Sequence, residues 1–423
     1  GFAVGYGPAN TMGNNTTMFP GPTLNQGVNK VKDFIPVARI ADMLLHPNEK
    51  FQYNGKEHSY PDIRLIYWAG GNPFHHHQDL NRLWLAWKRP ETIVVNEQYW
   101  TANAKMADIV LPATTSFERE DIAYAKRERY MTFMSKLHEP MHEAKSDYEI
   151  FAMMAEKLKV GEAFTEGLDS AAWIERLYEQ SRADASAHGI NLPAFQAFKQ
   201  LGLVDLQQLK KPTPVVMLSD FRSDPEKHPL TTPSGKIEIF SATIDSYQLD
   251  DCAGHPKWYP PREWLDAANN ETQQFHLITD QPLNKLHSQL NHSPISKGGK
   301  IHGREPVVIH KADAQRLNLL DGDIVRVFNQ RGACLATVVL TENLRQGVVK
   351  ISTGAWFDPH QMADGQWLDV HGNPNVLTRD QGASGLSQGC AAQSCLVSIE
   401  PYQGEAPAVS AFLPPRFVNS PSH

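Results

Sequence analysis

The hydrophobic pattern changes character twice along the chain. Over the first 60 residues apolar positions keep no period; Gly, Asn and Pro punctuate the stretch to Gly27, and one helix is predicted in "FIPVARIADMLLHP", closed by Pro47. From Ile63 short apolar runs alternate with helically spaced stretches: "IRLIYW", "HQDLNRLWLAW", "TIVV", "ANAKMAD" and "DIVLP". Strands that alternate with helices predict a parallel sheet covered on both faces, here a β-α-β-α-β unit. From about 120 to 210 the spacing turns mainly helical: Ile150, Phe151, Met154 and Leu158 share one face of "DYEIFAMMAEKL", and Asp169 is placed to cap "DSAAWIERLYEQ". Residues 250–272 gather prolines, tryptophans and polar residues without a period and read as a crossover between domains. Beyond it, "FHLITD", "EPVVIH", "DIVRVFN", "ACLATVVL" and "GVVKIS" are strand-like runs separated by turn signals such as "NQRG" at 329–332. With the single interposed helix "KADAQRLNLLDGD" they predict a small closed barrel.

The expected class is therefore α/β, a parallel-sheet dinucleotide-binding domain with helical insertions followed by a carboxyl-terminal β-barrel domain. The boundaries expected are 1–60 for the end of an incomplete upstream domain, 61–250 for the α/β domain with its helical part, 251–274 for a crossover linker and 275–423 for the barrel. A length of 423 residues accommodates such a division. A net charge of -7 argues against nucleic acid or an anionic membrane as partner, and no run of about 18 apolar residues predicts a transmembrane segment. The four cysteines, Cys252, Cys334, Cys390 and Cys395, form no C-x-x-C pair, so they read as buried free thiols and not as zinc or iron–sulfur ligands. The opening "GFAVGYGPANTMGNN" lacks a methionine and reads as the interior of a loop, which leads to the expectation of a fragment of something longer.

The stretch "YWAGGNPFHHHQDLNRL", residues 67–83, concentrates candidate chemistry. Neighbouring side chains diverge in a strand or a helix, so His75, His76 and His77 are poorly placed to share one metal ion. The glycines fall between a strand and a helix, where open α/β sheets bind anionic ligands at the carboxyl ends of strands. The sequence is not G-x-G-x-x-G, and an ordinary turn stays open as the alternative. Glu97, at the end of the second strand in "TIVVNEQYW", stands where such folds hold a ribose hydroxyl pair, although a solvated acid at a strand end would look the same.

"WAGGNPFHHHQDLNR", "ADIVLPATTSFERED", "SDYEIF", "LHSQLN", "DGDIVRVFNQRG", "GAWFDP" and "GNPNVLT" together resemble the carboxyl-terminal half of the dimethyl sulfoxide reductase family of molybdoenzymes. The resemblance runs in order from near residue 1 to about 403, and is strongest to the biotin sulfoxide, trimethylamine N-oxide and dimethyl sulfoxide reductases that lack iron–sulfur clusters. It implies molybdenum held by two molybdopterin guanine dinucleotides, no iron–sulfur cluster, and a double-psi-like barrel closing over the cofactor. Carried over residue by residue, it implies cofactor contacts at Gly71, Asn72, His76, Asn96, Glu97, Arg119 and Asp147. In the barrel it implies contacts at Leu286, His287, Ser288, Gln289, Asn375, Ala392 and Gln393. Gln, Asn, Ser and His suit the donors and acceptors of a pterin edge. Lys126, Arg127 and Arg129 depart from the family's pattern and leave the substrate's shape open.

The metal-ligating serine of such enzymes has no match here, so the resemblance implies no catalytic residue and no protein metal ligand in this chain, which alone is expected to be inactive. Its implied partners are the amino-terminal half of the same enzyme, a small S-oxide or N-oxide, and an electron donor protein of cytochrome or thioredoxin-like type. The bacterial periplasm is the expected compartment, with the cytoplasm as the alternative. Two other readings stand beside it: a catalytically inactive dinucleotide-binding remnant or split subunit, and a nicotinamide-dependent dehydrogenase, against which the missing G-x-G-x-x-G and the barrel both count.

Overall fold

The computed structural model describes residues 19, 21–124, 129–210, 218–265 and 274–415. Lys126, Arg127 and the opening glycine-rich stretch lie outside the described residues. The chain forms two compact units: Gly1–Lys32 with Leu111–Glu238, and Asp33–Val110 with Ile239–His423.

In the second of these, the hairpin β1 (Lys50–Tyr53) and β2 (Lys56–Ser59) precedes a three-stranded sheet in the order β3 (Leu65–Ala69), β4 (Thr92–Glu97), β5 (Ile109–Pro112). β3 and β4 are parallel, in register from Leu65↔Thr92 to Ala69↔Asn96, as the alternating pattern predicts. Between them the helix Leu80–Trp87 buries Leu80, Leu83, Ala86 and Trp87, the stripe that a 3.6-residue period places on one side. It starts at Asp79, whose carboxylate accepts from the Arg82 N–H at 3.1 Å.

The predicted barrel is present. β9 (Phe275–Ile278), β10 (Pro306–His310), β11 (Ile324–Phe328), β12 (Ala333–Thr341), β13 (Val348–Ile351) and, after β14 (Pro359–Gln361) and β15 (Trp367–Asp369), β16 (Leu396–Pro401) belong to one sheet. Six of these run β10-β13-β9-β16-β11-β12, and β12 pairs back onto β10 in parallel, which closes the circle. Alternate residues fill the interior, among them Val307 and Ile309, Val325 and Val327, Val349 and Ile351, Val397 and Ile399. "NQRG" makes the β11–β12 turn as predicted, with Asn329 N–H donating to the Gly332 carbonyl. Leu83, Ile93 and Val95 of the α/β part share one hydrophobic core with Val307, Val327 and Val376.

A closed ring of charges fastens the helices to the barrel loops. Arg39 pairs with Asp42 at 2.8 Å and Asp380 at 2.9 Å, and Arg82 pairs with the other oxygens of the same two carboxylates at 2.6 Å each. Asp380 is buried, so removing its charge leaves two guanidinium groups facing Asp42 alone. Asp380→Asn is expected to destabilise this unit by about 3 kcal/mol, the scale of a broken buried ion pair. Urea unfolding followed by tryptophan fluorescence measures it, and a loss below about 1 kcal/mol would show the ring to be ornamental.

The other unit carries Asp147–Lys157, Ser170–Ala187 and Phe195–Leu201 as helices, and Asp169 caps the second by accepting from Ala172 N–H at 2.8 Å. The expectation of a mainly helical region is corrected by the antiparallel sheet β6 (Asp121–Ala123), β7 (Tyr130–Met134), β8 (Leu203–Asp205). Met131 and Phe133 alternate inward and pack with Tyr178 and Phe198. Leu158 is exposed at the C-cap and does not join the face of Ile150.

Candidate cofactor site

Gly70 and Gly71 both adopt φ +77°, a left-handed pair that turns the chain sharply at the carboxyl end of β3. The helix that follows spans only Pro73–His76, so the expected junction between strand and helix is a tight turn whose side chains, not a long helix, face the site. Asn72 precedes the helix with extended φ/ψ, and its side chain caps nothing. His75 and His77 point inward and are buried, while His76 is exposed. Burial, reinforced by the neighbouring His76, holds His75 and His77 down at about 3, so both rings are neutral. Partial desolvation of the ring, with His287 nearby, lowers His76 as well, although the residue keeps an exposed face. Among the described residues no group of His, Cys, Asp and Glu is arranged to hold a metal ion.

Beside this turn, Asn96 at the tip of β4 accepts from the Tyr67 hydroxyl at 2.7 Å. Glu97 accepts from the Thr101 hydroxyl at 2.8 Å and from Gln98 N–H at 3.0 Å. Barrel loops close over the same place. The His287 ring lies 5.8 Å from His75, and Tyr99, just past β4, lies 4.3 Å from His292. Trp356 lies 5.3 Å from His292 and donates from Nε1 to the Ser288 carbonyl at 2.9 Å. Asn375 donates from Nδ2 to the His75 carbonyl at 2.6 Å and accepts from the Thr378 hydroxyl at 2.8 Å, so its amide ties the barrel to the histidine turn.

The structure thus brings Gly71, Asn72, His76, Asn96 and Glu97 together with His287, Ser288 and Asn375. Leu286 and Gln289 belong to the same loop but are exposed. Ala392 is partly buried, and Gln393 is exposed and reaches the Thr279 hydroxyl at 3.2 Å. Arg119, paired with Asp121, and Asp147, at the start of its helix beside the N-cap Ser146, lie in the other unit. The cysteine expectation needs correction: Cys334 and Cys395 are buried, Cys252 is partly so, and Cys390 is exposed.

Several buried polar atoms of the site have no protein partner among the described residues: both amide atoms of Asn72 and of Asn291, Nδ1 of His75 and Nδ1 of His292. An unsatisfied buried polar group costs about 1–3 kcal/mol, so a cluster of them calls for a ligand or water rich in donors and acceptors. A pterin edge is such a ligand, and these residues fit it. Asn291 escaped the sequence reading although it ends the quoted "LHSQLN"; a carboxamide inside a motif otherwise singled out was the available signal.

A family model described as molybdopterin oxidoreductase matches residues 6–157, and one described as a molydopterin dinucleotide binding domain matches residues 275–396. The chain is 46% identical over 411 residues to a biotin sulfoxide reductase of Cereibacter sphaeroides, covering 96% of this chain and 54% of that protein. It is 44% identical to a trimethylamine-N-oxide reductase of Haemophilus influenzae, covering 92% and 47%. With a dimethyl sulfoxide/trimethylamine N-oxide reductase of Rhodobacter capsulatus the identity is 42%, covering 90% and 46%. The chain therefore spans about half the length of the curated relatives it matches. Among solved structures, acetylene hydratase from Pelobacter acetylenicus shares the fold, with TM-score 0.62 and 15% identity over 81% of this chain and 45% of that one. The two family matches imply a molybdopterin cofactor, and the chain belongs to the dimethyl sulfoxide reductase family of molybdopterin oxidoreductases.

Proposed function

We propose that this chain is the cofactor-holding carboxyl-terminal portion of a molybdenum-dependent S-oxide or N-oxide reductase. The observation that carries the reading is the set of amides of Asn72 and Asn291, without partners among the described residues, where the β3 and β4 tips meet the barrel loops. The cofactor is a molybdopterin guanine dinucleotide, without an iron–sulfur cluster, and Glu97 beside the glycine turn takes a ribose. When bound, the cofactor supplies the oxygen-atom and two-electron chemistry. Asn72, Asn291 and the neutral His75 orient it through hydrogen bonds, and Trp356 walls the site. The amino-terminal half of the enzyme completes the substrate cavity, and a cytochrome or thioredoxin-like protein delivers electrons. The chain by itself binds without turnover.

Analysis of the complete gene product for molybdenum, oxidised pterin and guanosine monophosphate is the test, joined to dye-coupled reduction of dimethyl sulfoxide, trimethylamine N-oxide and biotin sulfoxide. Metal, pterin and turnover of at least one oxide are expected. A metal-replete preparation that reduces none of these oxides would overturn the assignment, and cofactor bound without turnover would favour an inactive remnant. Cell fractionation tests the further reading that the enzyme works in a bacterial periplasm.

A further inference from the structure

Under the loop that carries Leu286, His287, Ser288 and Gln289, the barrel buries two ammonium groups against one carboxylate. Lys285 Nζ lies 2.7 Å from Glu305 Oε1, and Lys300 Nζ bonds the same oxygen. The three side chains are only 1%, 2% and 5% exposed. The carboxylate is firmly placed: Glu305 N–H donates to the His371 carbonyl, and its own carbonyl accepts from Thr337. Gly372, at φ +93°, comes so close that a Cβ there would lie 2.9 Å from Glu305 Cβ.

Charges facing the cluster from other elements do not balance it. Asp369 takes N–H bonds from Asp358, His371, Gly372 and Asn373, yet burial pushes it up to about 7, so it supplies less than a full negative charge at neutral pH. Asp358 is held by Ser410, and Arg304, bonded to the His302 and Pro407 carbonyls, adds another cation. His371 is kept neutral by burial, with its Nδ1 on the Trp356 carbonyl. Burial and Lys285 push Lys300 down to about 8 against the pull of Glu305, which leaves it largely protonated at pH 7.

An unbalanced buried cation is costly, and a fold that retains one gains by it only when an anion arrives. The charge is aimed at the candidate site: Lys285 adjoins the 286–289 loop, and its field helps keep neutral His75, whose Nδ1 has no partner among the described residues. A Cβ on Gly354 would lie 2.0 Å from the His287 carbonyl and 2.7 Å from Lys285 Cε, so loop and lysine are packed as one block. The chain as a whole carries -7, so a local positive charge offsets the general repulsion that an anionic ligand meets.

We infer that the Lys285–Glu305–Lys300 cluster is an electrostatic seat for the anionic cofactor, with Lys300 the residue that leaves the pair unbalanced. The inference rests on the proposed binding of a molybdopterin dinucleotide at this site. Both ammonium groups are buried and act through their field, so Lys300 is a positioning residue.

Lys300→Met leaves a balanced Lys285–Glu305 pair in a hole of similar size. In the complete gene product without cofactor, the variant is expected to melt at or above the wild-type temperature. It is expected to release bound pterin roughly tenfold faster on dialysis, the scale of one charge acting over about 10 Å at an effective dielectric of about 20. A purely structural lysine gives the reverse, a lower melting temperature with unchanged release, and either of these overturns the inference. Lys285→Met, which leaves Glu305 balanced by Lys300, should speed release similarly; unchanged release there also counts against it. Wild-type protein that binds no pterin overturns the functional reading itself, whereas wild-type binding with unchanged release in both variants overturns only the seat.

Discussion

Acidification of the cofactor-free protein from pH 7 to pH 5 is expected to cost the wild type about 2 kcal/mol more stability than it costs a His77→Gln variant. His77 is buried, and burial together with His76 and Arg39 lowers its ring from the ordinary 6.5 to about 3. The unfolded chain takes up the proton first, so the stabilising contribution is complete above pH 6.5 and is lost progressively as the pH falls towards 3. His75, lowered to about 3 by its own burial, contributes by the same sign and size. Asp369 works in the opposite direction, because a carboxylate raised to about 7 favours the folded state as the pH falls. The wild-type profile alone therefore mixes the two, and the difference between wild type and His77→Gln isolates the histidine. Urea titrations at both pH values measure it; parallel pH dependences would mean that His77 is charged or exposed in the folded protein.

The same stretch shows how far the sequence could be read. Strand, glycine turn and helix were legible because a run of apolar residues, two glycines and a 3.6-residue stripe each obey a local rule. The barrel was legible for the same reason, its strands being β-branched runs with explicit turns between them. The hairpin at 50–59 was legible in principle, since Asn54-Gly55, at φ 49° and 72°, is a strong two-residue turn signal, but its flanking strands are too polar to stand out. β6, β7 and β8 were hidden because strands of three to five residues lie within helical surroundings, and only the packing of Met131 and Phe133 reveals them. What no local pattern could give is the meeting of residues about 200 to 300 positions apart. Asn291, His292 and Trp356 acquire meaning only when the barrel loops reach the β4 tip, and Lys285, Lys300 and Glu305 look like surface charges until the fold buries them.

That long-range meeting depends heavily on one amide. Asn373 is almost fully buried; its Nδ2 donates to the Phe74 carbonyl at 3.2 Å and the Ala355 carbonyl at 2.9 Å, while its Oδ1 accepts from Asn375 N–H at 3.0 Å. One side chain thus joins the histidine turn, the loop before β14 and the loop that holds Asn375. Asn373→Ala leaves two carbonyls and one N–H buried without partners, a cost of about 3 kcal/mol at roughly 1 kcal/mol for each lost bond. The loss should be local as well as global: amides of residues 74–77 are expected to exchange with solvent about 100-fold faster, the kinetic equivalent of that energy, while those of β11 and β12 change less. Equal acceleration throughout the barrel would make Asn373 an ordinary core residue. Selective release of the histidine turn would instead show that "GNPN" is the clamp bringing Asn72 and His75 to the barrel, and a chain so unclamped should hold cofactor poorly even where every proposed contact residue is intact.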